Sequence, residues 1–342
     1  MLDVRRLRLL RELAHRGTIA AVAEALAFTP SAVSQQLAVL EREAGTALLE
    51  RTGRRVRLTP AGIALVGHAE AVLERLEQAA AELAAARTDL TGTVRIGAFP
   101  TATRAILPAA LAALGRDHPG LEPMVDEIDP AEVAPRLRAG DLDVALVHEY
   151  DFVPAAPDLA LDSRPLLEES MFLASPGRAA SLDGAGFPDG AGFPAERADA
   201  YGDAGGRDGT GGGAGGNGGG GTGDGTGGDP LARWRDAPWI TSTPGTLCHA
   251  MTVRACQAAG FAPRIRHHVD DFTTVLAMVA IGQGVALVPE LGAADPPGGV
   301  RLAELPMRRR TLIAFRRGSG DHPAIAAFVA ALRSSTPADP RA

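Results

Sequence analysis

The chain has 342 residues, of which 46% are hydrophobic and 22% charged, and its formal net charge is −7. This length predicts two or three domains with a sizeable core, and the composition is typical of globular proteins. All 34 basic residues are Arg, which excludes a Walker A loop, a kinase-type strand lysine and a pyridoxal Schiff base. The charge is unevenly placed, because residues 1–60 carry ten Arg against six Asp and Glu. This basic module on an acidic body indicates a polyanionic partner for the module alone.

The beginning of the chain carries no recognisable export signal. The segment MLDVRRLRLLRELAHRG is interrupted by arginines and lacks the apolar stretch of a secretory signal. No apolar run in the sequence reaches the length of a membrane span. We therefore expect a cytoplasmic protein.

Two short helices with a tight turn between them are predicted near the N-terminus. Thr18 is the N-cap of the first helix, and Thr29, followed by Pro30, is the N-cap of the second. One side of the second helix forms an apolar stripe of Val33, Leu37, Leu40 and Ala44. Its other side presents short polar groups that can read base edges, namely Ser31, Ser34 and Gln35. This pattern predicts a helix-turn-helix, whose second helix enters the major groove.

A basic hairpin follows in LLERTGRRVRLTPAG, which ends at Gly62. Thr52 and Gly53 predict a turn between short strands, and four arginines surround it: Arg51, Arg54, Arg55 and Arg57. Alone, such a hairpin would be interpreted as a solvated basic loop. Beside a recognition helix it indicates a wing that contacts phosphates or the minor groove.

Residues 60–89 predict one long helix. Thr59 and Pro60 provide its N-terminal signals, and Gly92 follows its end. Apolar residues recur at three- and four-residue steps at Val66, Ala69, Leu73, Leu76, Ala80 and Leu83. A helix of this length extends beyond a small module, so we expect it to pack against a copy of itself.

From Thr93 onward, strands alternate with helices, which predicts parallel sheets covered on both faces. The predicted strands are TVRIGAF, LEPMVDEI, DVALVHE, SMFLAS, PWITS, PRIRHHV, VALVPE and TLIAF. The predicted helices cover about 103–117, 131–139, 246–259, 272–281 and 322–333. Residues 202–228 contain 17 glycines among 27 residues, which predicts a disordered insertion. A phosphate-binding loop would need a strand before it and a helix after it, and neither is predicted there.

The run from Leu7 to Gly62, above all GTIAAVAEALAFTPSAVSQQLAVLEREAGTALLERTGRRVRLTPAG, resembles the winged-helix domain of LysR-type transcriptional regulators. VRIGAFPTATRAILPAAL, AGDLDVALV, DAPWITSTPGTLCHAM and TTVLAMVAIGQGVALVPE are similar to later segments of that family. The resemblance implies an α/β chain with a winged helix-turn-helix, a long linker helix and a two-lobed effector-binding domain of periplasmic-binding-protein type. The expected ranges are 1–59, 60–89 and 93–335, with lobe I at about 93–163 and 269–335, lobe II at about 164–268, and the insertion at 202–228.

By this resemblance the protein binds an interrupted palindrome in double-stranded DNA as a homodimer or homotetramer, with RNA polymerase as a possible partner. One departure concerns the recognition helix, where the commonest family pattern has a proline at the position of Ser31. Here Pro30 precedes Ser31, which leaves an extra hydroxyl for DNA. The candidate DNA-binding residues are Thr29, Pro30, Ser31, Ser34, Gln35, Arg51, Arg54, Arg55 and Arg57.

A ligand site is expected where predicted strands end. In open parallel sheets, ligands bind outside the carboxyl ends of strands, near helix N-termini. Two helix N-termini that converge on one cleft favour a small anionic or hydrogen-bonding effector, and we hypothesise a small carboxylate. The candidate effector-binding residues are Phe99, Pro100, Thr101, Thr103, Asp129, Phe152, Thr243, Gly245, Thr246 and Phe272. The alternative is that Thr101 and Thr246 only cap their helices.

Other classes of function are less consistent with the sequence. GxSxG, HExxH and GxGxxG are missing from the contexts that enzymes require, so we expect no enzyme and no cofactor. A solute-binding or sensor protein without specific DNA binding would leave the basic module unexplained. A redox sensor is a further alternative, but Cys248 and Cys256 lie about 12 Å apart on one predicted helix, too far to bridge. His267, His268, Asp270 and Asp271 resemble metal ligands. However, neighbouring strand residues face opposite ways, so no metal is expected.

Overall fold

A computed structural model describes residues 1–52, 55–87, 89–154, 157–177 and 229–336, with no side chain described at 51, 52 and 55. The predicted Gly-rich insertion and Arg54 lie outside these residues. None of the helices in the described ranges combines the length and hydrophobicity needed to cross a bilayer.

The N-terminal domain contains three helices and a hairpin: α1 Val4–Arg16, α2 Ile19–Ala25, α3 Pro30–Ala44, β1 Leu49–Thr52 and β2 Arg55–Leu58. The two predicted caps are formed, because Thr18 Oγ1 accepts from the Ala21 amide and Thr29 Oγ1 from the Ala32 amide. The apolar stripe of α3 is buried against α1 and α2 in one core. The helix-turn-helix and wing predicted from the sequence are confirmed.

Helix α4, Pro60–Ala85, begins at the predicted cap, since Thr59 Oγ1 accepts from the Gly62 amide. Its apolar stripe divides between two environments. Ala69 is buried in the core of the N-terminal domain, whereas four apolar side chains of the helix are exposed: Ile63, Val72, Leu76 and Leu83. The helix thus packs against its own chain on one side and leaves an apolar face on the other.

The C-terminal part contains eight strands and six α-helices among its described residues. The strands are β3 Gly92–Ala98, β4 Leu121–Glu127, β5 Val144–Tyr150, β6 Leu161–Pro176, β7 Pro238–Thr241, β8 Arg264–His268, β9 Ala286–Pro289 and β10 Val300–Arg316. The helices are α5 Pro100–Ala105, α6 Leu107–Asp117, α7 Pro130–Ala139, α8 Leu247–Ala258, α9 Phe272–Ala280 and α10 Pro323–Ser335. The helix predicted at 103–117 is therefore two helices. Pro108 explains the break, because it lacks the amide N–H that a continuous helix would use.

The main sheet is mixed and has the strand order β4-β3-β5-β10-β6-β9. Strand β3 is parallel to β4 and β5, but β10 is antiparallel to both β5 and β6. The expectation of purely parallel sheets is therefore wrong for the two long strands. Strands β6 and β10 pair from Val300 opposite Pro176 to Arg316 opposite Leu161, and so they connect both lobes. A second small sheet joins β7 and β8 in parallel.

The hydrophobic cores decide which elements belong to each lobe. In the first lobe, α6 and α10 cover the sheet formed by β3, β4 and β5. In the second lobe, Phe272 and Leu276 of α9 pack with Val288 of β9 and Ile240 of β7. We expected the first lobe to resume at residue 269, but α9 and β9 thus lie in the second lobe. The chain returns to the first lobe along β10. The sequence did not show this boundary, because local hydrophobic periodicity identifies a helix but not the core that it joins.

Gly62 should be required where α4 begins against the N-terminal domain. A Cβ at this position would lie 2.2 Å from the carbonyl oxygen of Leu48. We expect Gly62→Ala to lower the free energy of unfolding by about 1–3 kcal/mol, because backbone atoms must shift to relieve the overlap. Urea denaturation measures this change.

The matched control is Gly67→Ala on the same helix, where nothing lies within 4 Å of a new Cβ. This substitution should leave the free energy of unfolding unchanged or raise it by about 0.5–1 kcal/mol. Equal effects of the two substitutions would show that the contact with Leu48 is not restrictive.

Candidate DNA-binding surface and effector cleft

The N-terminal half of α3 forms an exposed polar surface. Ser31, Ser34 and Gln35 are exposed, while the Val33 and Leu37 side chains on the opposite side of the helix are buried. The Ser31 hydroxyl lies 3.1 Å from Thr29 Oγ1, so this extra hydroxyl has a local partner in the free protein. Thr29 and Pro30 are also exposed. The predicted recognition residues therefore share one surface.

The wing is described only in part. Arg57 is exposed on β2, directly opposite Glu50 in the register with β1. Arg51 and Arg55 belong to the two strands, but their side chains are among those not described, and Arg54 lies outside the described residues. Contacts of these arginines with phosphates stay predictions.

A cleft of about 620 Å³ lies between the two lobes. Most of its lining lies at the carboxyl ends of strands or at the N-terminal ends of α5, α7, α8 and α9, as expected for ligand sites in α/β sheets. The lining residues are Phe99, Pro100, Thr101, Arg104, Glu127, Ile128, Asp129, Pro130, His148, Ser242, Thr243, Thr246, Cys248, Asp270, Asp271, Phe272 and Arg309.

Seven of the ten predicted effector-binding residues line this cleft, and Thr103, Phe152 and Gly245 do not. The Thr103 hydroxyl donates back to the carbonyl of Phe99. Phe152 packs against the core of the second lobe. Gly245 has a φ of 99° in the turn before α8, where it shapes the backbone and offers no side chain.

The deepest charged group of the cleft is Arg309, which is 1% exposed. Its Nε donates to Glu169 Oε1 at 2.6 Å, and its Nη2 donates to Thr101 Oγ1 at 3.1 Å. The guanidinium also lies over the ring of Phe99, 5.1 Å from its centroid. Burial alone would lower the pKa of Arg309, but the charge and hydrogen bond of Glu169, together with smaller contributions from Tyr150 and Cys248, outweigh it and raise that pKa. The Arg309 charge is therefore permanent and already compensated within the protein.

His148 and Cys248 complete the floor beside Arg309. Burial, and then the positive charge of Arg309, hold the pKa of His148 well below its ordinary value. The imidazole is thus neutral at physiological pH. The Cys248 sulfur lies 3.1 Å from the Tyr150 hydroxyl and 3.9 Å from His148 Nε2. Burial raises the pKa of the Cys248 thiol, so this sulfur is protonated.

Three of the four carboxylates that line the described part of the cleft are already engaged by backbone amides. Asp129 caps α7 by accepting from the Ala131 amide, and Asp271 caps α9 by accepting from Thr274. Burial alone would raise the pKa of Asp271, but the hydrogen bonds from Thr274 hold it below its ordinary value. Asp270 accepts from both the amide and the hydroxyl of Thr243. In the described ranges, no group of three or more His, Cys, Asp or Glu side chains is placed to hold a metal ion.

Sequence reasoning did not select Arg309, His148 or Cys248 for the site. His148 could have been found, because β5 is parallel to β3 and its carboxyl end reaches the same edge. Arg309 carried no comparable signal, since it lies in the middle of β10, 208 positions from its partner Thr101. Cys248 was considered only as a redox residue, and its place in the cleft follows from the N-terminal position in α8.

Two family descriptions match most of the chain. Residues 4–63 match the bacterial regulatory helix-turn-helix protein of the lysR family, and residues 87–186 and 226–337 match the LysR substrate binding domain. The chain belongs to the LysR family. It is a DNA-binding transcriptional regulator with an effector-binding domain.

Relatives in the LysR family support this membership. The chain is 38% identical to a probable hydrogen peroxide-inducible genes activator of Mycobacterium xenopi, over 50% of this chain and 87% of the relative. It is 35% identical to the protein of the same description from Mycobacterium avium, over 50% of this chain and 53% of that protein. It is 33% identical to the nitrogen assimilation regulatory protein nac of Klebsiella aerogenes, over 53% and 59% of the two chains. The matches thus span only about half the length of the last two relatives.

Two solved LysR-family structures share the fold. A full-length OxyR variant from Pseudomonas aeruginosa superposes with a TM-score of 0.52 at 20% identity, covering 99% of this chain and 100% of that one. A hydrogen-peroxide-bound OxyR variant from Corynebacterium glutamicum gives a TM-score of 0.51 at 23% identity, covering 98% and 92%. At these identities the likeness concerns the arrangement of elements alone.

His148 should make the stability of this LysR-family protein depend on pH. Its pKa is lowered in the folded state, so between that value and about 6.5 only the unfolded state binds the proton. The free energy of unfolding should therefore fall as the pH drops below about 6.5, by up to about 1.4 kcal/mol per pH unit from this residue. In His148→Asn that part of the slope should be missing when urea unfolding is measured between pH 5 and 7.

The control is His68→Asn, a substitution at an exposed histidine of α4, for which the slope should equal that of the wild type. A wild-type slope in His148→Asn would mean that the buried imidazole takes up its proton in the folded protein.

Proposed function

We propose that this protein binds a specific DNA operator through α3 and the β1–β2 wing, and that a small molecule in the cleft between the lobes modulates that binding. The observation that carries the proposal is a cleft of about 620 Å³ with a pre-formed polar floor on the chain that bears the exposed α3 surface. Concave sites with a few placed polar groups are where proteins bind small ligands. The roles of individual residues follow from chemistry and position.

On DNA, Ser31, Ser34 and Gln35 would lie in the major groove and exchange hydrogen bonds with base edges. Arg57 and the other wing arginines would contact phosphates and supply salt-dependent affinity. An interrupted palindrome requires two such domains. The exposed apolar face of α4 would pair with a second copy of the chain, in a homodimer or homotetramer. Such a regulator would act in the cytoplasm, without catalysis, and recruit or exclude RNA polymerase.

The charges of the cleft bear on the chemistry of the effector. Arg309 is compensated by Glu169, and Arg104 donates to Thr273. Four carboxylates also line the described part of the cleft: Glu127, Asp129, Asp270 and Asp271. Asp129 and Asp271 occupy the N-termini of α7 and α9, where an anionic ligand would otherwise be stabilised. This balance favours an uncharged or cationic effector over the small carboxylate that we expected from the sequence.

A cysteine-based sensor is the alternative, and the names of two relatives draw attention to it. The reactive form of cysteine is the thiolate, but burial raises the pKa of Cys248 and raises that of Cys256 to about 12. The two residues also lie eight positions apart on α8, which separates them by about 12 Å, beyond the reach of a disulfide. These facts favour a non-covalent ligand.

DNA recognition can be tested with fragments of the protein's own genome, selected by binding and then titrated at two salt concentrations. Ser34→Ala should lower the preference for the selected fragment over random DNA several-fold, because a base-edge contact is lost. Arg57→Ala should weaken binding to both DNAs alike and reduce the slope of log affinity against log salt by about 1.

Arg116→Ala serves as the control, since it removes an equal charge from an exposed position of α6. It should leave affinity and salt slope at wild-type values. If Ser34→Ala weakened binding to random DNA as much as to the selected fragment, Ser34 would not read bases.

The effector site can be tested in two steps. A screen of small amines, neutral metabolites and carboxylates first identifies compounds that raise the melting temperature of the protein, and calorimetry then measures their affinity. Thr101→Val should lower the affinity for the compounds that bind by about three- to tenfold, which corresponds to the loss of one hydrogen bond. Thr101 lines the cleft, and its hydroxyl, which accepts from Arg309, still has its proton to donate to a ligand. The Thr103 hydroxyl already donates to the Phe99 carbonyl.

Thr103→Val on the same helix is therefore the matched control and should change affinity less than twofold. Equal losses in both variants, or no loss in Thr101→Val, would place the ligand elsewhere. Binding by carboxylates alone would contradict the proposed effector class but not the site.

A further inference from the structure

Helix α7 ends against the DNA-binding domain of its own chain. The last carbonyls of an α-helix have no partner within the helix. In α7 the carbonyls of Arg138 and Ala139 accept from Arg8 Nη2, and Arg11 Nη2 donates to the Arg138 carbonyl at 3.2 Å. Guanidinium groups are stabilised at the negative end of a helix dipole. Helix α1 therefore caps the C-terminal end of α7.

Buried ion pairs lie directly behind this contact. Glu12 of α1 is fully buried, with its carboxylate 3.0 Å from Arg11 Nη2 and 3.7 Å from Arg138 Nε. Arg11 and Arg138 are only 5% and 6% exposed. Separating such a pair would leave a charge without its partner in a dry environment. The α1–α7 contact therefore has one preferred geometry.

The linker helix is tied to the same point. Arg316 of β10 donates through Nη1 to the Leu137 carbonyl at 3.2 Å, and its Nε lies 2.9 Å from Glu77 of α4. The C-terminal end of α7 thus contacts the DNA-binding domain directly and the linker helix through Arg316.

The other end of α7 lies in the effector cleft. Asp129, its N-cap, and Pro130, its first residue, both line the cleft. The helix has ten residues and is about 15 Å long. Val133 and Leu137 anchor it in a small core on β5 and β10. A short rigid element therefore connects the ligand site with the DNA-binding domain.

The contact between α1 and α7 is polar rather than apolar. It consists of arginine–carbonyl bonds and ion pairs, and beside it lies a cavity of about 310 Å³ lined largely by Arg and Glu. Polar interfaces of this kind between domains permit relative motion, because separation exposes little apolar surface. A contact that penalises intermediate geometries, but exposes little apolar surface once it is fully open to water, is what a two-state switch requires.

We propose that α7 couples the two sites: occupancy of the cleft shifts its N-terminal end, and its C-terminal end then changes the docking of α1. This inference rests on the proposed function, since it describes the regulation of the same cleft. Coupling between two sites is reciprocal. DNA bound to α3 must therefore change the cleft end of α7, which permits a test without an identified effector.

The test is hydrogen–deuterium exchange of the full chain, with and without a saturating duplex selected from random DNA by the wild-type protein. The peptide covering residues 128–134 reports on the cleft end of α7. In the wild type we expect duplex binding to change its exchange rate about fivefold, the lower end of typical coupling. In Arg8→Ala, measured at saturation, the change should fall below about twofold.

Arg5→Ala is the matched control, because Arg5 is an exposed arginine of α1 whose side chain forms no hydrogen bond or ion pair with another described residue. It should retain the wild-type response. Arg8→Lys keeps the charge but not the forked donors. Its response should be intermediate, which guards against a folding defect in Arg8→Ala.

Each result decides one question. A duplex that binds the wild type without changing exchange at residues 128–134 would overturn the coupling and leave the regulator function intact. A wild-type response in Arg8→Ala would overturn the role of the α1 contact. Failure of the wild type to select any duplex would overturn the proposed operator binding itself, and the coupling with it.

Discussion

The arrangement of the two lobes depends on one buried ion pair, Arg309 with Glu169. The two residues face each other across β10 and β6, the long strands that run through both lobes. Charges buried this deeply are tolerated only when their hydrogen bonds are satisfied. Arg309 also donates to Thr101, and the second oxygen of Glu169 accepts from the Leu291 amide. One pair therefore holds α5 and the segment after β9 around a common floor.

This pair also explains why the floor of the cleft is neutral in effect although it contains an arginine. Burial, and then the positive charge of Arg309, lower the pKa of His148, and that charge is in turn compensated by Glu169. Around it lie a neutral imidazole and a protonated thiol. A ligand would therefore meet donors and acceptors of fixed position on a buried floor, where hydrogen bonds discriminate strongly between ligands. The cleft is built for shape and hydrogen bonding, with its remaining negative charge at the rim.

A second group of buried charges lies where α1 meets α7, and it follows the same logic. Glu12 is surrounded by Arg11, Arg16 and Arg138. Such clusters contribute little net stability, but they penalise every geometry in which a partner is lost. The protein thus uses apolar cores within its lobes and ionic contacts between its parts. That division allows the parts to move relative to one another while each keeps its fold.

Features that depend on neighbours in the chain could be predicted from the sequence. The caps Thr18, Thr29 and Thr59 bond to amides three residues away, so residue type and spacing are sufficient to identify them. The apolar stripe of α3 and the exposed Ser31, Ser34 and Gln35 follow from helical periodicity in the same way. The division of the α4 stripe into a buried and an exposed part could not be predicted, because a periodic pattern does not show which apolar residues a neighbouring domain covers.

By itself, then, the sequence determined the helix-turn-helix, the linker helix, the location of every described strand but not the full length of β6 and β10, and seven residues of the cleft. Only the tertiary structure decided that α9 and β9 join the second lobe, that β6 and β10 pair as antiparallel strands, and that Arg309, His148 and Cys248 share one floor. It alone revealed that α1 caps α7. The reason is physical: caps and stripes are set by bonds across a few residues, whereas these contacts join groups far apart in the chain. Their partners are chosen by the packing of whole elements and the need to satisfy buried charge.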